Sequence, residues 1–518
     1  MANKSVFASL KGRLLPQADT RNATGAPAYR LSDAHKLAQL AVTGSFGEMF
    51  YQSAEAELAK VVAAAEKVEP RFLAQAAIYA RQSGYMKDMP AVLLAVLARR
   101  DPALFRAVFG RVVDNGKMLR VFVQVMRSGQ TGRKSLGSAP KAMVQNWLNT
   151  ASDRALLMAN IGNDPALADV LRMVHPKPVS KEREALFAWV LGKPCEVGLL
   201  PQALQDWLGF QATGRGEVPD VPFQMLTQLK LSTEHWAQIA RAGSWQMVRQ
   251  NLNTFLRHGV FEDAEMRAHV AALLRDPKRI RKARAFPCQL MVAAQNVAAE
   301  MPGEITEALQ DAMEIAVQNV PKVAGQVVIC PDVSGSMTWP VTGYRKGASS
   351  VMRHVDVAGL VAAAFLRANR GARVLAFDTK VHEGGLRPRD SVLTNAERLA
   401  AYAGGGTDCS APLRLLNAKR QAPDLVVFVS DNQSWVDARD GHRGTAMMKE
   451  WEALKRRNPK AKLVCIDIAP YGTAQAKTRQ DVLNIGGFSD VVFDQIARFA
   501  NGATGPDYWV EQIAKIEV

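Results

Sequence analysis

The stretch GQVVICPDVSGSM, residues 325–337, decides how the chain is read. A short apolar run stops at Pro331, and turn-forming residues follow in which Asp332, Ser334 and Ser336 alternate as DxSxS. Runs of the same kind recur at ARVLAFD (372–378), DLVVFVS (424–430) and KLVCIDI (462–468). Helical patterns lie between them: VDVAGLVAAAFLRANR (355–370), SAPLRLLNAKR (410–420) and TAMMKEWEALKRR (445–457). Buried-strand runs alternating with helices predict a parallel sheet covered on both faces, a doubly wound, Rossmann-like α/β domain over 321–518.

Upstream of residue 320 the periodicity changes. LSDAHKLAQLAVTG (31–44), SAEAELAKVVAAAEKV (53–68), PRFLAQAAIYARQSG (70–84) and DPALFRAVFGRVVDNG (101–116) carry apolar residues at i, i+3, i+4 and i+7. Asp101-Pro102 reads as an N-cap followed by proline at the first helical position, and Gly116 as a C-terminal stop. The pattern continues through 117–129, 232–243, 244–259, 262–276 and 288–301. Helices of this length with short Gly, Asp or Pro breaks predict stacked hairpins, a mostly α, degenerate HEAT-like solenoid over 1–320.

The whole chain has 518 residues, 48% hydrophobic and 22% charged, which excludes a disordered or fibrous protein. Its net charge of +16 calls for an anionic partner. The excess is ten charges over 1–320 and six over 321–518, so it is not a tail. Five scattered cysteines without a CxxC fit a reducing compartment. With no signal-peptide pattern and no apolar run of membrane-spanning length, the expectation is a soluble cytoplasmic protein with no membrane partner.

In an open parallel sheet, ligands bind at the carboxyl ends of the strands. Three loops there offer oxygen donors: Asp332, Ser334 and Ser336 in DxSxS, Thr407 in GGGTDCS (404–410), and Asp431 in VVFVSDNQSW (426–435). Carboxylates and hydroxyls so placed suit a hard divalent cation, Mg²⁺ first, with Mn²⁺ or Ca²⁺ as the other ions such a set takes. Enzyme readings fit less well. Ser334 lacks the GxSxG flanks of a hydrolase nucleophile. An aspartyl-phosphate site would want a carboxylate at 334. GQTGRKS (129–135) has Arg127 and Arg133 where a phosphate loop needs Gly and Lys. No catalytic residue is assigned, and the expectation is a non-enzyme.

Basic residues concentrate in three places. MRSGQTGRKSLGSAPKAMVQNWL (126–148) carries Arg127, Arg133, Lys134 and Lys141 with no acid. LADVLRMVHPKPVSKER (167–183) carries Arg172, His175, Lys177 and Lys181. RDPKRIRKARAFP (275–287) holds six basic residues and one acid. Arg forks, Lys point charges and Gly-turn N–H groups grip phosphates without reading bases. Each stretch equally suits a solvated surface. Arg249, with Trp236 and Trp245 in 235–255, could stack on unpaired bases, although Trp at helical spacing more often belongs to a core.

The C-terminal constellation resembles the von Willebrand factor A fold with its metal-ion-dependent adhesion site, and all five motif positions match. A helical array followed by such a domain resembles the Ro autoantigen (TROVE-module) family of RNA-binding proteins, in a bacterial form. The motifs are MRSGQTGRKSLGSAPKAMVQNWL, VLRMVHPKPVSKE, RKARAFP, VSGSM, AGGGTDCSAPL and VSDN, and the likeness runs from about residue 30 to 518. It implies a ring of helical repeats closed by the A domain, acting as a monomer. It further implies a ribonucleoprotein that binds Y-like small noncoding RNA on its outer surface and the single-stranded ends of misfolded noncoding RNA in its central hole, in RNA quality control or processing. Arg172, His175 and Lys177 then fall in the Y RNA segment, and Arg127, Arg133, Lys134 and Lys141 near the cavity. An exoribonuclease or other protein would engage the A domain. Ala285-Phe286-Pro287 stands where some relatives carry a histidine. The rival reading is a protein-interaction scaffold whose A domain grips an acidic partner through the metal.

Overall fold

The computed structural model describes residues 15–283, 287–317, 320, 322–341, 352–369, 371–383, 386–440, 444–487 and 490–518. The chain forms two compact units. One comprises residues 1–64 with 317–515, the other residues 65–316 with 516–518. A consecutive division at residue 320 therefore separates residues 15–64 from the unit to which they belong.

In that first unit, five strands run parallel in the order Val482–Gly486, Lys462–Asp467, Leu425–Ser430, Val327–Pro331 and Arg373–Val374. Their registers, such as Ile329 opposite Val427 and Val427 opposite Val464, align the carboxyl ends along one edge. Both faces are covered, so the runs are apolar throughout rather than alternating. On one face Val328, Cys330, Val426, Phe428, Leu463 and Cys465 pack with Leu413 and Leu416 of the Ala411–Ala418 helix and with Met448 and Trp451 of the Ala446–Lys455 helix.

Two features differ from the expected strands. The run 372–378 breaks: Arg373–Val374 joins the sheet, while Ala376–Phe377 pairs antiparallel with Val381–His382. A fifth strand, Val482–Gly486, lies beyond Lys462–Asp467. It was not expected because Asn484 interrupts its apolar run. Asn484 is buried there, its amide nitrogen donating to the Ala476 carbonyl and the Thr478 hydroxyl, both at 2.9 Å.

The N-terminal residues are built into this unit. The strand Pro27–Arg30 pairs with Thr20–Arg21 and with Thr473–Ala474. The helix Asp33–Thr43, capped by the Ser32 side chain, sends His35 Nε2 to the Asn484 carbonyl at 2.7 Å and Gln39 Nε2 to Asp467.

The second unit is helical. Asp101 caps the Pro102–Val112 helix as expected, accepting from the N–H groups of Ala103 and Leu104 at 3.0 Å. Gly116 is not a stop. It is the first residue of the Gly116–Arg127 helix, whose cap is Asn115. The expected 244–259 helix is two, Trp245–Gln250 and Leu252–Arg257. Phe105, Phe109 and Phe122 pack with ring centroids 5.5–5.8 Å apart in the core between these helices. Among the described residues no helix is long and apolar enough to cross a membrane.

Candidate metal and nucleic-acid sites

The parallel sheet brings Asp332 and Asp431 to adjacent strand ends, because Val327–Pro331 and Leu425–Ser430 are neighbours in register. Asp332, Ser334, Ser336, Thr407 and Asp431 are each at most 5% exposed. Asp332 Oδ1 accepts from Ser334 N at 2.8 Å, and its Oδ2 from the Ser430 hydroxyl at 2.6 Å. The hydroxyls of Ser334 and Ser336 are 3.4 Å apart. Thr407 lies on a loop tied to this turn. Gly335 donates to the Gly405 carbonyl at 2.9 Å and Gly404 to the Val333 carbonyl at 2.8 Å, while Trp435 and Val436 both donate to the Thr407 carbonyl at 3.1 Å.

Burial raises the two acids. Asp332 is pushed to about 6 by desolvation, opposed by Ser334 and Ser430 and increased by the charge of Asp378. Asp431 is pushed to about 7 by desolvation and by the charge of Asp332, opposed by Ser336 and Gln433. A third acid, Asp467, is raised strongly by burial and by Asp431. The neighbouring charges that act on the pair are themselves carboxylates, so the site is a buried concentration of negative charge with hydroxyls between. A hard cation is what that donor chemistry fits. A set of three His, Cys, Asp or Glu ligands does not occur among the described residues. Among the described residues, no histidine hydrogen-bonds Ser334 or Ser336.

Sequence reasoning missed several supporting residues. Ser430, immediately before Asp431, was legible as the last residue of its strand. Gln433 was not: its N–H donates to Asp431 Oδ1 at 3.1 Å while its side-chain oxygen accepts from Ala23 N at 2.8 Å. No local pattern links residues 23 and 433.

In the helical unit the two basic stretches adjoin. Arg127 ends the Gly116–Arg127 helix, and its Nη1 lies 2.9 Å from the Met173 sulfur in the Leu167–Val174 helix. From the Ser138–Thr150 helix, Gln145 donates to the carbonyls of Val174 at 2.6 Å and His175 at 3.3 Å. Asn149, on the same helix, donates to Lys177 O at 2.9 Å. Arg127, Lys134, Arg172, His175 and Lys177 are exposed, and Arg133 and Lys141 are half-buried. The two basic stretches therefore lie on adjoining elements. His175 sits at φ 47°, a left-handed helix end.

Arg249 does not belong to this group. It is 8% exposed and its guanidinium lies over the Trp245 ring, 5.6 Å from the centroid. Trp236 is likewise core, stacked on His258 at 4.3 Å. In 275–287, Arg275 pairs with Asp311 at 2.6 Å; residues 284–286, with Ala285 and Phe286, lie outside the described residues.

A helical array joined to a parallel-sheet domain with a carboxylate–hydroxyl site at its strand ends defines a class that comparison makes specific. Residues 326–500 match the Ro60 vWA domain family. The chain is 25% identical to the RNA-binding protein RO60 of Deinococcus radiodurans over 531 residues, covering 94% of this chain and 96% of that protein. The crystal structure of the Deinococcus radiodurans RO (RSR) protein shares the fold, with a TM-score of 0.61 at 19% identity over 91% of this chain and 100% of that one.

Proposed function

We propose that this protein is a non-enzymatic, cytoplasmic RNA-binding component of a ribonucleoprotein. It takes Y-like small noncoding RNA and the single-stranded ends of misfolded noncoding RNA, in RNA quality control or processing. The observation that carries this reading is the meeting of two basic stretches on adjoining helices, with Gln145 and Asn149 fastening the 174–177 segment to the Ser138–Thr150 helix. Such a surface holds phosphates in place without reading sequence. The similarity to a protein named for RNA binding supports it.

The test is a pair of salt titrations on RNA with and without a single-stranded tail. Replacing Arg127, Arg133, Lys134 and Lys141 by Ala should weaken binding of the tailed RNA and flatten its salt slope by about 0.7 per lost contact. Replacing Arg172, His175 and Lys177 should weaken a structured stem–loop. Arg172 also pairs with Asp169 at 3.2 Å, an exposed pair worth little. Unchanged affinity and slope in both variants would end the RNA reading.

Within the same proposal, Asp332, Ser334, Ser336, Thr407 and Asp431 hold Mg²⁺, or Mn²⁺ or Ca²⁺ in its place. When bound, the cation offsets the buried carboxylate charge and offers a position for an acidic group. The exposed side chains Phe50, Tyr402, Trp435 and Val436 on the donor loops and the turn against them favour a protein partner here, an exoribonuclease or another scaffold component. Asp332→Ala should abolish Mg²⁺ and Mn²⁺ binding by calorimetry while the helical unit keeps its circular dichroism. Unchanged metal affinity refutes the assignment.

A further inference from the structure

The donor site is covered by a piece of the chain far from it in sequence. After the Asp33–Thr43 helix the backbone turns through Phe46, whose φ of 52° lies in the left-handed region. Glu57 fastens this turn: fully buried, it accepts from Ser45 N at 2.9 Å and from Phe46 N at 3.1 Å. Further on, Met49 and Gln52 bond each other's backbone at 2.9 and 3.4 Å, closing a loop with Phe50 and Tyr51 at its tip.

That tip rests on the donors. The Tyr51 phenol lies beside Ser336. Tyr51 N donates to the Tyr471 hydroxyl at 3.3 Å, and the two rings meet edge to face at 5.6 Å. Phe50 stands edge-on to Trp339, 5.7 Å away, in the turn that follows Ser336. Met49, Tyr51, Ala469 and Tyr471 form a small apolar cluster apart from the main core. The 404–407 loop is tied to the donor turn, and the 431–436 loop to the 404–407 loop, by backbone hydrogen bonds. Burial and the Asp431 charge hold the Tyr51 phenol at about 12, so it is a neutral group at physiological pH.

The base of the loop is fixed by a buried carboxylate, whereas its tip is held by the long Tyr51 N–Tyr471 and Gln52 Nε2–Pro470 O bonds, at 3.3 and 3.5 Å, and by aromatic edges, with Phe50 43% exposed. A firm base and a lightly held tip are the parts of a hinged flap. We propose that the 45–52 turn is a gate over the donor site: with Tyr51 on Ser336 it closes the face through which a cation, and then a partner's carboxylate, reaches the donors. The proposal rests on the metal reading above.

The test uses the full-length protein, Mn²⁺ as probe, and the variants Tyr51→Phe and Phe50→Ser/Tyr51→Ser. Mn²⁺ uptake is followed after rapid mixing by the loss of the free-ion resonance signal. Amide exchange of the 331–341 segment is measured without metal. The double variant should take up and release Mn²⁺ at least tenfold faster, with affinity changing less than the rates, and exchange at 331–341 should accelerate. Tyr51→Phe, which removes one hydroxyl, should fall between and serves if the double variant does not fold. Equal Mn²⁺ rates in folded variants overturn the gate. If no form binds Mn²⁺, the metal reading fails by itself; exchange then decides, faster in the variants supporting the cover and unchanged exchange removing it.

Discussion

Asp481 lies just before the last sheet strand, where Arg479, Lys455 and Trp451 converge. Burial alone would raise its carboxyl. Arg479, bonding through Nε at 2.6 Å and Nη2 at 2.9 Å, outweighs that, helped by Lys455 at 3.5 Å and Trp451 Nε1 at 3.0 Å, and holds the group at about 2. A carboxylate depressed on folding stabilises above its unfolded value and loses that contribution as the pH falls through the folded one. Asp481 should therefore support the fold fully at neutral pH and cease to do so between about pH 4 and 2. Asp481→Asn should cost about 1.5–3 kcal/mol at pH 7, the worth of a charge-assisted contact, and less near pH 2. Urea titrations of both proteins at the two pH values measure this, and an equal cost at both would refute the charge argument. Single residues were legible in the sequence where identity fixes role, as with Asp332 and Asp431. They were not where burial decides. Arg249 lies four residues after Trp245, one helical turn on and on the same face, so the spacing that suggested base stacking also describes an arginine lying on its own helix's core tryptophan.

At the scale of elements, the DxSxS strand was readable because a strand buried on both faces is apolar throughout and ends abruptly at turn residues. The strand around Asn484 escaped because its polar residue finds partners at 476 and 478, which only the fold supplies. Gly116 failed for another reason. Glycine after a helical pattern usually marks an end, but here it admits a neighbour: a Cβ at 116 would stand 2.1 Å from Ala159 Cβ and 2.5 Å from its Cα. That close approach lets the Gly116–Arg127 helix pack on the Asp153–Ala159 helix. Gly116→Ala should lose about 1–3 kcal/mol by overpacking, although alanine is the better helix former. Adding Ala159→Gly should restore only part, since the Cα stays too near. Denaturant midpoints of the two variants decide the matter; a Gly116→Ala protein as stable as the parent would show that the helices part without cost.

At the scale of the molecule, what the sequence concealed was partnership between distant segments. Basic stretches at 126–148 and 167–183 were visible separately, whereas their adjacency depends on the side chains of Gln145 and Asn149. Residues 15–64 read as the start of a helical array and instead belong to the sheet unit. Pro27–Arg30 pairs with Thr473–Ala474, Asn22 Nδ2 donates to Ser434 O at 2.7 Å, and Gln39 reaches the buried Asp467. The Asp33–Thr43 helix lies against strand Val482–Gly486 so closely that a Cβ on Gly486 would meet Gln39 at 3.2 Å. Leu37, Leu40, Val42 and Tyr29 are all buried in this unit. At about 1.5–3 kcal/mol for each large apolar side chain, their removal approaches the ~5–15 kcal/mol by which a whole domain is stable. A fragment of residues 317–515 alone should therefore be poorly folded despite containing the entire five-stranded sheet. It should bind a hydrophobic dye and lack a cooperative thermal transition. Addition of a peptide spanning residues 15–64 should suppress the dye signal and restore the transition, because the missing strand, helix and Gln433 contacts return together. A 317–515 fragment that melts cooperatively at the temperature of the intact protein, without dye binding, would show that the N-terminal residues decorate the sheet rather than complete it.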